Sequence, residues 1–297
     1  MVDGDGDATI TIERLGADGD GIAVAGGARL FVPFTVPGDR VRVVAGPARG
    51  GGREARVVER LSDGPGRAGP VCPHFGTCGG CATQHLDEAT YLAWKHGVVA
   101  QALARRGLGG VVVEPVVVAH GPRRRVNFAL GRDRGRPTAG FRPRFGTPRF
   151  GKPRFGIAVV DVTVCPVIDD RLFALLGPLR ALAGDVPALG AATQALATVT
   201  PTGIDLVLEA PARLGAEILA RLATFAERHG LARLSLRTQA AAATVVERTA
   251  PTLTIAGVAV VLPPGGFVQA TEAGEAAIGA RVTAAASGAR RVADLYA

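Results

Sequence analysis

Along the first 60 residues, short β-branched runs alternate with glycine turns: ATITIER at 8–14, GIAVA at 21–25, ARLFVPF at 28–34, RVRVVAG at 40–46 and REARVVER at 53–60. Five short strands at this spacing, parted by GADGDG, GG, VPGD and ARGGG, predict a small β-barrel. The Gly/Pro-rich SDGPGRAGP at 62–70 reads as a linker. Asp87 then caps a helix running to about Arg106, with Tyr91, Leu92, Val98, Val99, Ala102 and Leu103 on one side and Gly97 weakening it. Strand-like runs follow at 111–119, 124–132 and 157–164. From 170 onward helical patterns at 170–183 and 213–229 mix with strand patterns at 203–209, 231–237, 243–248 and 252–262, which predicts an α+β or α/β domain. Thr271 starts a last helix to about Ser287, and RRVADLYA reads as a strand with nothing after it.

With 297 residues, 47% of them hydrophobic, the chain has material for two or three domains. Its apolar stretches at 109–119 and 251–268 are too short, or are broken by Glu114, Pro115, Pro263 and Pro264, to supply the roughly 20 uncharged residues of a membrane span. No cleavable leader pattern opens the sequence. A cytoplasmic, monomeric protein with no membrane partner is therefore the expectation. The net charge of +8 is unevenly placed: residues 1–66 carry −2, 67–119 carry +1, 120–156 carry +10 and 157–297 carry −1. A field of that strength within 37 residues points to a polyanionic partner.

The four cysteines form C-x5-C-x2-C at Cys72, Cys78 and Cys81, with Cys165 remote and followed by Pro166. Glycines between Cys78 and Cys81 let backbone amides approach the sulfurs, in the manner of iron–sulfur ligation. Structural zinc prefers two C-x2-C knuckles, and only one is present, with His74 and His85 as alternative donors. The residues alone leave an iron–sulfur cluster, zinc and unliganded thiols open. In the basic segment, Arg123, Arg124 and Arg125 lead into a strand pattern, and PRFG recurs from Pro143, Pro148 and Pro153. Arginine is a forked phosphate donor and phenylalanine a face for an unpaired base, so Arg142, Arg144, Phe145, Arg149, Phe150 and Arg154 join those three as candidate RNA-binding residues. The alternative for the repeat is a solvated low-complexity extension.

The order of a five-strand barrel, GGC followed by QH, an RRR strand, GFR, a remote CPV, GGFVQ and a terminal VADLY resembles the cytoplasmic 23S rRNA (uracil-5-)-methyltransferases that carry an N-terminal TRAM domain. The resemblance runs over essentially the whole chain. It implies a multi-domain protein: an OB-like TRAM β-barrel at 1–66, a central α+β domain with an iron–sulfur site that engages RNA at 67–262, and at 263–297 the first helix and strand of a class I S-adenosylmethionine (SAM) methyltransferase domain of Rossmann-like fold. It further implies a [4Fe–4S] cluster on Cys72, Cys78, Cys81 and Cys165, and SAM contacts from Gln269 and Tyr296.

The implied reaction adds a thiolate to uracil carbon 6, methylates carbon 5 from SAM and removes the carbon-5 proton with a base. All four cysteines match cluster positions. The nucleophile, the catalytic carboxylate and the glycine-rich loop are accordingly expected beyond Ala297, and the chain is expected to be an inactive N-terminal portion. Two departures stand out, the PRFG insertion and the net −2 of the barrel. The expected function is SAM-dependent uracil C5 methylation of RNA, with 23S rRNA ahead of tRNA as partner. The competing function is a non-catalytic RNA-binding iron–sulfur module. A radical-SAM methylthiotransferase would place C-x3-C-x2-C before a barrel at the other end, and neither feature is found.

Overall fold

Ile10, Ile12, Ala23, Leu30, Val32, Val41, Val43 and Ala55, drawn from all the runs of the first 60 residues, are buried together in one apolar cluster. Their alternation with exposed positions makes each run a half-buried strand. In the computed structural model, which describes residues 7–118, 121–143, 159–189, 193–210, 214–238 and 242–294, these strands are β1 (Asp7–Thr11), β2 (Arg14–Leu15), β3 (Gly21–Ala25), β4 (Ala28–Val32), β5 (Arg40–Arg49) and β6 (Gly52–Ser62). They pair in the order β1-β5-β6-β4-β3-β2, antiparallel except for β4 with β6. The expected first run splits in two. Ile12 donates its N–H to Asp39 O while Glu13 donates to Ile22 O, so the chain changes partner strands at that corner.

The Gly/Pro segment after the barrel is fastened rather than a free linker. Fully buried Asp39 accepts hydrogen bonds from the backbone N–H groups of Val36 and Gly64, each at 2.8 Å, and is ion-paired with Arg67. Arg67 also donates to Phe34 O at 3.1 Å, and the buried His85 ring meets Thr35 O at 3.2 Å. Beyond it, α1 (Glu88–Ala104) starts where expected, with Asp87 Oδ1 accepting from Thr90 N at 2.8 Å. None of its residues is buried, so the anticipated apolar side has no core to enter. What ties it locally is Trp94, whose Nε1 donates to Gly16 O at 2.7 Å. The run 111–118 forms no strand, and most of its valines are exposed. Glu114 and Pro115 interrupt it, and Pro115 offers no N–H to a ladder.

The described chain divides into two compact units that part at Pro115 and Val116, the barrel, cysteine loop and α1 lying in the first. The second unit contains β7 (Arg125–Asp133), β8 (Arg136–Phe141), β9 (Val160–Asp161), α2 (Asp170–Ala174), α3 (Leu176–Asp185), β10 (Gln194–Thr200), β11 (Gly203–Glu209), α4 (Ala216–Arg228), β12 (Leu231–Arg237), β13 (Ala242–Glu247), β14 (Thr252–Ile255), β15 (Val258–Val261) and α5 (Glu272–Ala286). Seven strands form one sheet in the order β13-β12-β11-β10-β7-β8-β9, antiparallel apart from β11 with β12, which α4 connects. Alternate positions Val126, Phe128, Leu130, Ala195, Ala197, Leu206, Leu208 and Leu234 give one face wholly apolar character. Leu172, Leu179 and Leu222 of the adjoining helices are fully buried with them.

Three sequence expectations change here. The segment RPTAGF, part of the basic segment with no element expected of it, is β8, turned back from β7 by Arg134 and Gly135, both at positive φ as a tight hairpin requires. The run 252–262 is a separate hairpin rather than one strand, because Ala256 and Gly257 adopt the same left-handed turn geometry. Over the described part of RRVADLYA, residues 290–294, no strand forms.

Burial alone would raise the Asp39 carboxyl, but the Arg67 hydrogen bond, the two backbone donors and the Arg67 charge together hold it below the usual carboxylate range. A depressed folded-state value stabilises above the unfolded value of about 3.9, and that stabilisation is lost as pH falls through the folded value. Chemical denaturation of the whole protein should therefore show barrel stability declining below about pH 4. Asp39→Asn should be less stable at neutral pH and lack that part of the decline.

Candidate nucleic-acid interface

The three arginines entering β7 are placed in three different environments by the pleat and by the segment that precedes α5. Arg123 is exposed, its backbone bridging to Val167 and Asp169. Arg124 is buried: its Nε donates to Gln269 O at 3.3 Å, its NH2 lies 2.7 Å from Glu275 Oε2, and its N–H donates to Ala270 O at 2.8 Å. It clamps the start of α5 to the sheet and is thereby withdrawn from RNA, which corrects its assignment as an RNA contact. Arg125 sits at the edge of the sheet's other face, its guanidinium 5.6 Å from the centre of the Phe267 ring. Arg142 is exposed at the end of β8. Arg144, Phe145, Arg149, Phe150 and Arg154 lie outside the described residues, as does Tyr296.

This second face is polar where the first is apolar. Arg233 and Asp205 are a buried pair, Nε to Oδ1 at 2.8 Å; Arg233 also donates to Leu262 O at 2.9 Å and lies 3.4 Å from Glu247. The second oxygen of Asp205 accepts from Gly265 N at 3.0 Å, so the pair pins the Pro263–Gly266 turn onto the sheet. Asn127 and Gln194 are hydrogen-bonded side chain to side chain further along. Gln269 follows in the segment leading to Thr271, whose hydroxyl caps α5 by accepting from Gly274 N at 3.1 Å. Sequence reasoning missed Arg233, Arg237, Asp205 and Phe267. The signal available was charge at alternate positions of otherwise apolar strands, LARLSLR and GIDLVLE, which places polar groups on one face only.

In the first unit, Cys72, Cys78 and Cys81 share one loop, each partly exposed, and Cys165 belongs to the second unit. Gly80 N–H donates to Cys78 Sγ at 3.4 Å, the amide-to-sulfur contact that the glycines suggested. The loop closes as successive turns, Phe75 N to Cys72 O and Cys78 N to His74 O, which string the thiols along it. Among the described residues no group of three or more His, Cys, Asp or Glu side chains gathers to hold a metal ion, and the four-cysteine cluster stays an expectation of the sequence. His85 is packed against Phe34 and Phe75. A cleft of about 550 Å³ lies between the barrel and α1, with Arg14, Arg29, Phe31, Trp94 and Arg105 on its walls. Among the described helices none is long and apolar enough to cross a membrane.

Arg124 and Glu275 are both mostly buried, and removing one partner leaves the other charge uncompensated at about 3 kcal/mol or more. Arg124→Ala should accelerate amide hydrogen exchange throughout α5. Arg123→Ala, exposed one residue earlier, should leave that exchange unchanged.

The family described as tRNA (uracil(54)-C(5))-methyltransferase, TRAM domain, matches residues 9–47, the heart of the barrel. An uncharacterized RNA methyltransferase of Mesorhizobium japonicum is 35% identical over 98% of this chain, and one of Caulobacter vibrioides is 37% identical over 97%. The chain spans 65% and 66% of those two proteins. A 23S rRNA (uracil(1939)-C(5))-methyltransferase of Klebsiella pneumoniae is 31% identical over 89% of this chain and 58% of its own length. The crystal structure of Pyrococcus abyssi tRNA (uracil-54, C5)-methyltransferase in complex with S-adenosyl-L-homocysteine shares the fold, with a TM-score of 0.63 at 16% identity, over 93% of this chain and 64% of that one. The expectation of a truncated and inactive chain draws no support from these matches. Over nearly its whole length, the chain is a relative of bacterial proteins named RNA methyltransferases.

Proposed function

We propose that the chain serves SAM-dependent methylation of uracil C5 in RNA, with 23S rRNA as the substrate class. The observation that carries this reading is similarity to proteins named RNA methyltransferase over 97–98% of the chain, coupled to a TRAM match on the barrel. The structure adds a polar sheet face with exposed arginine at its edge, suited to a polyanion. Arg123, Arg125 and Arg142 are the described residues that we assign to RNA, and Arg144, Phe145, Arg149, Phe150 and Arg154 extend that assignment from sequence alone. Gln269, carried just ahead of the capped α5, and Tyr296 are assigned to SAM.

Cys72, Cys78, Cys81 and Cys165 are assigned to a [4Fe–4S] cluster, which would serve the fold rather than a chemical step. The thiol-rich loop and the Gly80 amide on Cys78 support the first three donors, and Cys165 is assigned from the resemblance alone. With all four thiols so assigned, none is left as the nucleophile that attacks uracil C6. The second reading, an RNA-binding iron–sulfur module without chemistry, draws on the Gly80 amide on Cys78 and on the exposed arginines alone.

Labelled SAM, ribosomal RNA and the purified chain separate the two. Label recovered in 5-methyluridine establishes the methyltransferase. RNA binding without label favours the non-catalytic module, and absence of RNA binding overturns both. For the cluster, anaerobically purified protein should be brown, and Cys78→Ser should lose iron. Stoichiometric zinc without iron would sink the assignment.

A further inference from the structure

Between the pinned turn and α5 the chain is held at four consecutive residues. Val268 is buried with Leu253 and Leu262. The carbonyls of Gln269 and Ala270 both accept from Arg124, the first from its side-chain Nε at 3.3 Å and the second from its backbone N–H at 2.8 Å. Thr271 is committed to the cap of α5. Arg124 is itself fixed: its carbonyl accepts from Val199 N of β10 at 2.7 Å, and its NH2 is ion-paired with Glu275 in the first turn of α5. What this leaves over is the carboxamide of Gln269, half-buried and without a hydrogen-bond partner among the described residues. A backbone tied down around a polar side chain that is left free suits a ligand contact, because the ordering cost is met before the ligand arrives.

We infer that Arg124 is a positioning residue for SAM: it makes no contact with SAM and sets the Gln269 carboxamide where SAM meets it. The inference rests on the assignment of Gln269 to SAM and deepens it. A carboxamide carries both an acceptor and a donor, which fits the ammonium, carboxylate and ribose hydroxyl groups that SAM presents. Arg124 suits the task because its planar fork serves two groups at once, the Gln269 carbonyl through Nε and the Glu275 carboxylate through NH2. A single ammonium on a flexible stem has no such fork. Arg123 and Arg125, assigned to RNA, flank it in the chain, so the contacts to both substrates are referred to one stretch of backbone.

The test is isothermal titration of the whole chain with S-adenosyl-L-homocysteine, the demethylated form of SAM, beside amide hydrogen exchange across α5. Gln269→Ala should weaken binding about tenfold. Arg124→Lys keeps a charge for Glu275 and the backbone bond to Ala270, and loses the bond to the Gln269 carbonyl. It should weaken S-adenosyl-L-homocysteine about fivefold, while α5 exchanges as in the parent and a labelled oligouridylate binds as to the parent. If Gln269→Ala weakens binding and Arg124→Lys matches the parent, the inference is wrong while the assignment of Gln269 stands. If Arg124→Lys weakens binding only together with faster exchange in α5 or weaker oligouridylate binding, its role is structural and the inference is again overturned. If the parent does not bind S-adenosyl-L-homocysteine, or Gln269→Ala binds it as well as the parent, the assignment and the inference fall together.

Discussion

The polar face of the second unit depends on the buried ion pair between Arg233 and Asp205. Arg233 and Asp205 lie side by side on adjacent parallel strands, and the remaining hydrogen-bonding groups of each reach out of the sheet to Leu262 and Gly265. A buried pair of this kind adds little net stability relative to apolar side chains, but losing one partner costs several kcal/mol. What it provides is position. It turns a stretch that would otherwise cross the sheet loosely into a strap with a fixed register, which in turn seats Leu262 and Val268 against Leu253. Between the strap and α5, Phe267 follows directly on that contact, while Gln269 and Ala270 are held in addition by Arg124.

The sheet consequently has two unlike faces with different duties. One is filled by Val, Leu, Ala and Phe at alternate positions and closed by α2, α3 and α4; its contribution is burial, at roughly 25 cal/mol per Å² of apolar surface removed from water. The other bears Arg125, Asn127, Gln194, Asp205, Arg233 and Arg237, partly covered by the strap. Three consecutive arginines show how little residue type says about duty. Exposed Arg123, clamped Arg124 and half-buried Arg125 differ by nothing but the pleat and what happens to lie above it.

Much of the fold is legible in the sequence. The barrel strands, α1 with its Asp87 cap, α4 and α5 with Thr271 as cap, and β11 through β13 are set by periodicity and capping chemistry, which are local. The failures have one physical source, namely partners distant in sequence. QALATVT carries no distinctive pattern, yet as β10 it lies between β7 and β11 at the centre of the sheet. VVVEPVVV has strand propensity and no strand beside it. Arg124 reads as one of a cluster of positive charges until Glu275, far along the chain, supplies its partner. The cysteine spacing is the clearest motif, and it marks one loop with an amide on a sulfur, while the gathering of four thiols is a property that no local pattern contains. For the site, Arg123, Arg125 and Arg142 can be named from the charge run alone, whereas Phe267 needs the strap to bring it to Arg125.

The helix α1 is a well-formed element that lacks a buried stripe. Its cap and its length make it a helix, but against the barrel it is anchored chiefly by one indole nitrogen on one carbonyl. Its start is fastened as well, Asp87 N–H donating to Gly66 O, so the cleft beneath it is held open at two points by polar contacts alone, with Arg29 and Arg105 on walls that no apolar packing draws together.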